Sequence, residues 1–173
     1  INCYDERGDE EVRESFRFDG GVVDFANWLA SDGPVTDTWH ITGEGTYNET
    51  VPALDSKTGH LRATQVERTR EADIALRWGI GYDTAIRSFV NIIATPKGGT
   101  HVAGFEQAVL KTLRAAIDKN ARKLKVGAKD GRPEKDDVQA GMTAVITVRF
   151  PEPQFDGQPK DTLGTPQIRA VLN

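Results

Sequence analysis

The segment Phe155-Asp156-Gly157-Gln158-Pro159-Lys160 holds the side chains best suited to meeting an anion. Lysine is a compact point charge on a long flexible stem, able to reach a terminal phosphate. Glutamine donates from its amide to a phosphate oxygen or to an attacking water. In an extended chain residues two apart point the same way, so Gln158 and Lys160 could converge on one anion. An exposed loop with a solvated lysine fits these residues equally well. Pro96-Lys97-Gly98-Gly99-Thr100-His101 places two glycines ahead of a predicted helix, where N–H groups favour anions. The spacing favours a plainer reading, a tight strand-to-helix turn that needs both glycines. His101 likewise suits a hydrogen-bonding role at the helix start better than a chemical one.

Other reactive constellations are missing from the sequence. His40, His60 and His101 are scattered, with no His-x₃-His or His-Glu-x-x-His spacing for a metal. There is no Gly-x-Ser-x-Gly elbow and no Walker loop. Cys3 is the only cysteine, which excludes a disulfide framework and a Cys-rich zinc site.

The elements that would carry these residues follow from periodicity. Residues 1–12 read as a solvated lead-in, and Glu14 to Asp19 as a strand alternating around Phe16 and Phe18. Val22, Phe25, Trp28 and Leu29 fall at helical spacing, and Ser31-Asp32-Gly33-Pro34 ends that helix. Val35 to Leu54 is rich in Thr, Val, Ile and Tyr but interrupted by Gly43, Gly45 and Pro52, giving one or two strands with a turn. Asp55 to Thr64 reads as an exposed loop. Ala72 to Trp78 alternates, and Thr84 to Thr95 forms a second run, so a hairpin is the economical pairing. Thr100 is a predicted N-cap. The helix beyond carries Phe105, Val109, Leu113, Ala116 and Ile117 on one side, with Lys111, Arg114, Arg122 and Lys125 near the other. Lys129 to Asp137 reads as a linker, with Asp136 or Asp137 capping a short helix that ends near Gly141. A strand over Thr143–Phe150, an irregular loop over Pro151–Gly164 and a final helix from Thr165–Pro166 complete the chain.

The chain has 173 residues, 38% hydrophobic and 28% charged, which suits one globular domain. No apolar run approaches the ~20 residues of a membrane span. The expectation is a soluble, cytoplasmic protein with no membrane partner. The polar, acidic start without Met suggests a piece of something longer. The net charge of −4 is unevenly placed: residues 1–73 carry 7 basic and 16 acidic side chains, the remainder 15 and 10. An acidic total argues against a free-standing nucleic-acid binder, while the basic second half leaves room for local contact with a polyanion.

Two longer runs carry a resemblance. Ser88-Phe89-Val90-Asn91-Ile92-Ile93-Ala94-Thr95-Pro96-Lys97-Gly98-Gly99-Thr100-His101-Val102-Ala103-Gly104-Phe105 closely resembles the strand–loop–helix signature of the bacterial type IIA topoisomerase B subunits. Gly141 to Val145, Pro151-Glu152-Pro153-Gln154-Phe155 and Gln158-Pro159-Lys160 resemble their second signature, with Phe18-Asp19-Gly20-Gly21 and Glu49-Thr50-Val51-Pro52 in familiar order upstream. The likeness covers nearly the whole chain and is to the transducer domain of the gyrase and topoisomerase IV B subunits. The Glu49–Asp55 segment and the Thr95–Gly104 run lean towards the topoisomerase IV type.

The resemblance implies an α/β fold like domain 2 of ribosomal protein S5. That fold has a mixed sheet, helices on one face and a left-handed β-α-β crossover, against the usual hand. It implies residues 1–12 as the linker from a missing GHKL ATPase domain and 13–173 as the transducer. A Gln-Thr-Lys loop of the family touches the γ-phosphate of ATP. Gln158 and Lys160 match it, and Pro159 replaces its Thr, removing an N–H and restricting Gln158. In the family, ATP and Mg²⁺ serve the full-length protein. The partners are the GHKL domain, the A subunit (in a heterotetramer of two A and two B subunits) and double-stranded DNA. Lys111, Arg114 and Lys119 match the helix lining the DNA cavity, where Glu106 stands at a position often Arg. No catalytic residue and no metal ligand carries over. This stretch alone is expected neither to hydrolyse ATP nor to cut DNA, and to hold no cofactor. The rival readings are a non-catalytic interaction module between domains and DNA, and a GHKL protein of the mismatch-repair or chaperone type.

Overall fold

The computed structural model describes residues 1–5, 7–8, 12–15, 17–54, 59–127, 129–166 and 168. The lead-in is a small antiparallel sheet of its own, β1 (Asn2–Asp5) with β2 (Val12–Ser15). Nearly all of its side chains are exposed. Phe16 lies outside the described residues, and Phe18 is 66% exposed and outside any strand, so the strand expected over Glu14–Asp19 stops at Ser15.

Among the described residues the main sheet has five strands: β3 (Trp39–Leu54), β4 (Leu61–Trp78), β5 (Ala85–Val90), β6 (Ile93–Ala94) and β7 (Met142–Arg149). Their order is β3-β4-β7-β5-β6. Only β5 and β7 run parallel, joined through β6, α2 (Thr100–Leu124) and α3 (Lys135–Gln139), so the sheet is mixed and contains a β-α-β crossover. The hairpin expected between β4 and the next run does not form, because β7 lies between β4 and β5. The reason is burial. Ala144, Ile146 and Val148 point to one apolar layer and Val145 to the other, and a strand apolar on both faces belongs inside a sheet.

The helices do not all share one face, as the resemblance implied. On one side Ile74, Leu76, Val90, Ala144, Ile146 and Val148 pack with Phe105, Val102 and Val109 of α2. Trp78, on this side, donates its indole N–H to Val138 O of α3 at 2.8 Å. On the opposite side Ala75, Val145 and Phe89 pack under α1 (Val22–Leu29), through Val22, Phe25, Ala26 and Leu29. Both faces of β4, β7 and β5 carry apolar side chains, so each needs a cover.

β3 is a single strand of 16 residues that passes through Gly43, Gly45 and Pro52. It is an edge strand, where a proline without an N–H is tolerated. Its pairing with β4 runs from Trp39↔Leu76 to Leu54↔Leu61, whereas β7 pairs β4 only from Glu71 to Trp78. Beyond Glu71 the two strands therefore project as a two-stranded ribbon. β4 begins at Leu61, so Leu61–Thr64 belongs to it and not to the expected loop.

At the other junctions, the N-cap of α2 is Gly99 and not Thr100. The N-cap of α3 is Glu134, whose N–H donates to the Asp137 carboxylate at 2.8 Å in a capping box. Of the expected C-terminal helix, a 3₁₀ turn at Pro166 and Ile168 is described and the rest lies outside the described residues.

Candidate functional site

Residues 150–165 form a finger. Its inner strand is held where β7 ends: Phe150 N–H donates to Asn91 Oδ1 at 3.0 Å, and Asn91 Nδ2 donates to Phe150 O at 2.7 Å. Asn91 and Ile92 are the two central residues of the β5–β6 turn, with φ of 46° and 68°. The expected single run from Thr84 to Thr95 is thus broken, and an Asn before a second residue at positive φ is the signal of such a turn. Further out, Arg68 of the ribbon reaches Glu152 at 3.3 Å and Glu49 at 3.3 Å.

The finger closes on itself. Asp156 N–H donates to Thr162 O at 2.9 Å, Gly164 N–H donates to Gln154 O at 2.9 Å, and Phe155 bridges Leu163. Its returning strand is joined to the Gly-rich loop. Leu163 N–H donates to Gly98 O, and Leu163 O accepts Thr100 N–H, both at 3.0 Å. Lys97 N–H donates to Asp161 O at 3.1 Å, and Lys97 Nζ lies 3.1 Å from the Asp161 carboxylate. Thr100 Oγ1 donates to Thr165 O at 2.7 Å. Gly99, at φ 131°, passes so close to Leu163 that a Cβ would collide with its backbone N and O. Here the two glycines serve a close strand-to-helix turn, and the N–H groups of Gly98 and Thr100 are already bonded to Thr95 and Leu163. The phosphate-cradle pattern of that loop is thereby accounted for by packing.

At the tip, Gly157, Gln158, Pro159 and Lys160 are all exposed. Gly157 has φ 80° and Lys160 φ 58°, so the segment is a turn and the alternation rule for an extended chain does not apply to Gln158 and Lys160. They share the tip because the turn is short, not because they share a strand face. The Lys160 ammonium sits 5.9 Å from the centre of the Phe155 ring, a loose cation–π contact.

His101 is fully buried in the first turn of α2. Its Nε2 is 3.1 Å from Thr95 Oγ1, which in turn contacts Ser88 Oγ at 2.8 Å, and its Nδ1 has no partner. Burial pushes its pKa down to about 4. A neutral imidazole locked to β5 is a structural tie, as its sequence position suggested. On the outer face of α2, Lys111 and Lys119 are exposed. Arg114 is half-buried and donates through Nε to Pro133 O at 2.9 Å, which commits part of its guanidinium to holding the loop at 129–133. Glu106 accepts from Gln139 Nε2 at 2.7 Å and pairs with Lys135 at 2.8 Å, tying α2 to α3. Asn91, Lys97 and Asp161 were not singled out from the sequence. The two-residue turn at 91–92 was readable, but Lys97 and Asp161 are 64 positions apart and nothing local links them.

Among the described residues no group of three or more His, Cys, Asp or Glu could hold a metal ion, and no helix is long and apolar enough to cross a membrane.

A mixed sheet crossed by a β-α-β unit and covered by helices is the kind of fold found in type IIA topoisomerase B subunits. The family model described as DNA gyrase B matches residues 21–173, and the chain belongs to that family. The DNA gyrase B protein of Streptomyces coelicolor is 34% identical over 173 residues, covering 97% of this chain and 22% of the relative. The 43K ATPase domain of Thermus thermophilus gyrase B, solved with an aminocoumarin, aligns with TM-score 0.64 and 25% identity over 94% of this chain and 37% of that one. The topoisomerase IV ATP-binding domain of Francisella tularensis shares the fold, with TM-score 0.59 and 21% identity over 94% of this chain and 36% of that one. The chain thus spans about a quarter of the length of the curated relatives it matches.

Proposed function

We propose that residues 13–173 are the transducer of an ATP-dependent type II DNA topoisomerase B subunit, with 1–12 the linker from an upstream GHKL ATPase domain. Gln158 and Lys160 contact the γ-phosphate of ATP held by that domain, so the angle between the domains depends on whether that phosphate is present. Hydrolysis and release remove the charge partner, and the transducer turns, a switch of the phosphate-dependent kind. The observation that carries this reading is the exposed tip on a pinned base: Lys160 is exposed, its ammonium 5.9 Å from the Phe155 ring, while residues 150, 161 and 163 are fixed to the body of the fold. ATP and Mg²⁺ belong to the intact protein, and this stretch alone neither hydrolyses ATP nor cuts DNA. The A subunit and duplex DNA are the other partners, with Lys111, Lys119 and the uncommitted part of Arg114 facing the DNA. The compartment that fits such an enzyme is the cytoplasm.

The test is steady-state ATP turnover by a full-length B subunit carrying this segment, with its A subunit and DNA. Lys160→Ala is expected to lower kcat by at least about tenfold, the scale of losing one charge-stabilising contact. The isolated segment should keep its melting temperature, because Lys160 is exposed. Wild-type turnover in that variant would refute the reading.

A second reading, an interdomain packing module without phosphate contact, draws on a different observation. Phe18 (66% exposed), Trp28 (76%) and Phe25 line an apolar cavity of about 380 Å³ beside the start of α1. Exposed aromatics of this kind mark interaction sites. Unchanged turnover on replacing Gln158–Lys160 with glycines would favour this reading.

A further inference from the structure

We propose that Lys97, Gly99 and Asp161 are positioning residues that set the reach and charge of the Gln158–Lys160 tip. This rests on the phosphate-contact reading above and names the part of the fold that makes it work.

The tip has few contacts of its own, so its location is decided at its foot. The residue next to Lys160 is held at two points by one partner. Asp161 O accepts the Lys97 N–H, and the Asp161 carboxylate takes the Lys97 ammonium, each at 3.1 Å. Two residues further on, Leu163 is clamped between Gly98 O and Thr100 N–H, an approach that only a residue without a Cβ at position 99 permits. Lys97, Gly98, Gly99 and Thr100 are consecutive and lead directly into α2. A shift at the foot is therefore passed both outwards to Lys160 and inwards to the long helix.

The ion pair has a second consequence. Asp161 is the carboxylate nearest in sequence to Lys160, and an unpaired carboxylate there would compete with a phosphate for the Lys160 ammonium. Lys97 occupies it. The Asp161 side chain is 29% exposed and that of Lys97 72%, so the pair lies at the surface, where ion pairs contribute little to stability. A functional effect of removing it is therefore separable from unfolding.

The experiment is ATP turnover by the full-length B subunit with its A subunit and DNA, alongside the melting temperature of each variant. Lys97→Gln and Asp161→Ala are expected to lower kcat about tenfold, below the roughly hundredfold cost of a full ångström of misplacement. KM for ATP should stay within about twofold, because the nucleotide is held by another domain. Lys97→Arg, which keeps the charge and the backbone N–H, is expected to retain at least about half of kcat. Gly99→Ala should lose more, as its Cβ displaces Leu163; should it fail to fold, the surface variants carry the test alone. Wild-type kcat in Lys97→Gln and Asp161→Ala, with Lys160→Ala impaired, would overturn the positioning role and leave the phosphate reading standing. A raised KM at unchanged kcat, or no retention in Lys97→Arg, would overturn it as well. Wild-type turnover in Lys160→Ala would instead remove the reading beneath it.

Discussion

Burying an imidazole makes its protonation state part of the folding equilibrium. His101 is neutral in the fold because it is fully buried with a hydroxyl, Thr95 Oγ1, beside its Nε2, and its pKa falls to about 4 from an ordinary 6.5. Above pH 6.5 both folded and unfolded chains hold it neutral. Below that, only the unfolded chain takes up the proton, so stability falls as pH drops from 6.5 towards 4 and the contribution levels off beneath. The total is about 3 kcal/mol at 1.36 kcal/mol per unit. Urea unfolding at pH 7 and pH 5 checks it: His101→Gln should lose about 2 kcal/mol less than the natural chain between these values. Ile92 poses the opposite problem. It is 88% exposed at φ 68°, where a β-branched residue is strained and buries nothing in return. Ile92→Gly should raise the melting temperature, by about 1 kcal/mol in stability, since Asn-Gly is the preferred pair for this turn. A lower melting temperature would mean that the side chain holds a contact the fold requires.

At the scale of elements, the ribbon formed by β3 and β4 beyond Glu71 is the least supported part of the sheet. Two strands alone are marginal in water. What braces this one is Tyr47 beside Arg70, at 5.1 Å from ring centre to guanidinium carbon, and Arg68 between Glu49 and Glu152. Burial and the Glu49 carboxylate push the Tyr47 phenol up from its ordinary value. Amide hydrogen exchange should therefore be fast from Val51 to Leu54 and from Leu61 to Thr64, intermediate around Tyr47, and slow from Ile74 to Leu76. Uniform protection along β4 would contradict this. The ribbon also shows where the sequence stops being informative. α1, α2 and β7 are legible from spacing because each has one dominant period set by its own neighbours. β3 is not, because Gly43, Gly45 and Pro52 punctuate a strand interior only if the strand needs both edges, and an edge strand does not. The apolar run Ala144–Ile146 marks β7 as an inner strand, but its insertion between β4 and β5 depends on partners more than 50 residues away, which that local pattern does not name. In the site, Gln158 and Lys160 are legible from residue type as groups that could meet an anion and from the family likeness as a γ-phosphate contact, whereas Lys97 and Asp161 emerge only once the finger folds back on the Gly-rich loop.

Across the whole molecule, charge is sorted by region: acidic over residues 1–73 and basic after them. The basic excess gathers in part on α2, the helix whose first turn is welded to the finger, so a single rigid rod joins the proposed phosphate contact to the proposed DNA face. The basic residues of that face are not equivalent. Lys111 and Lys119 are exposed, whereas Arg114 spends its Nε–H on Pro133 O. If the face meets duplex DNA, each lysine that neutralises a phosphate releases counterions, and the slope of log affinity against log salt should flatten by about 0.9 per lysine lost. Lys111→Ala and Lys119→Ala in the full-length protein are expected to do this in salt titrations of DNA binding, with the melting temperature unchanged. Arg114→Ala should behave differently, costing about 1 kcal/mol of stability through the lost hydrogen bond, with a smaller change in slope than either lysine. Equal slopes for the natural protein and for both lysine variants would place the DNA elsewhere, and would reduce α2 to a strut between the finger and the loop at 129–133.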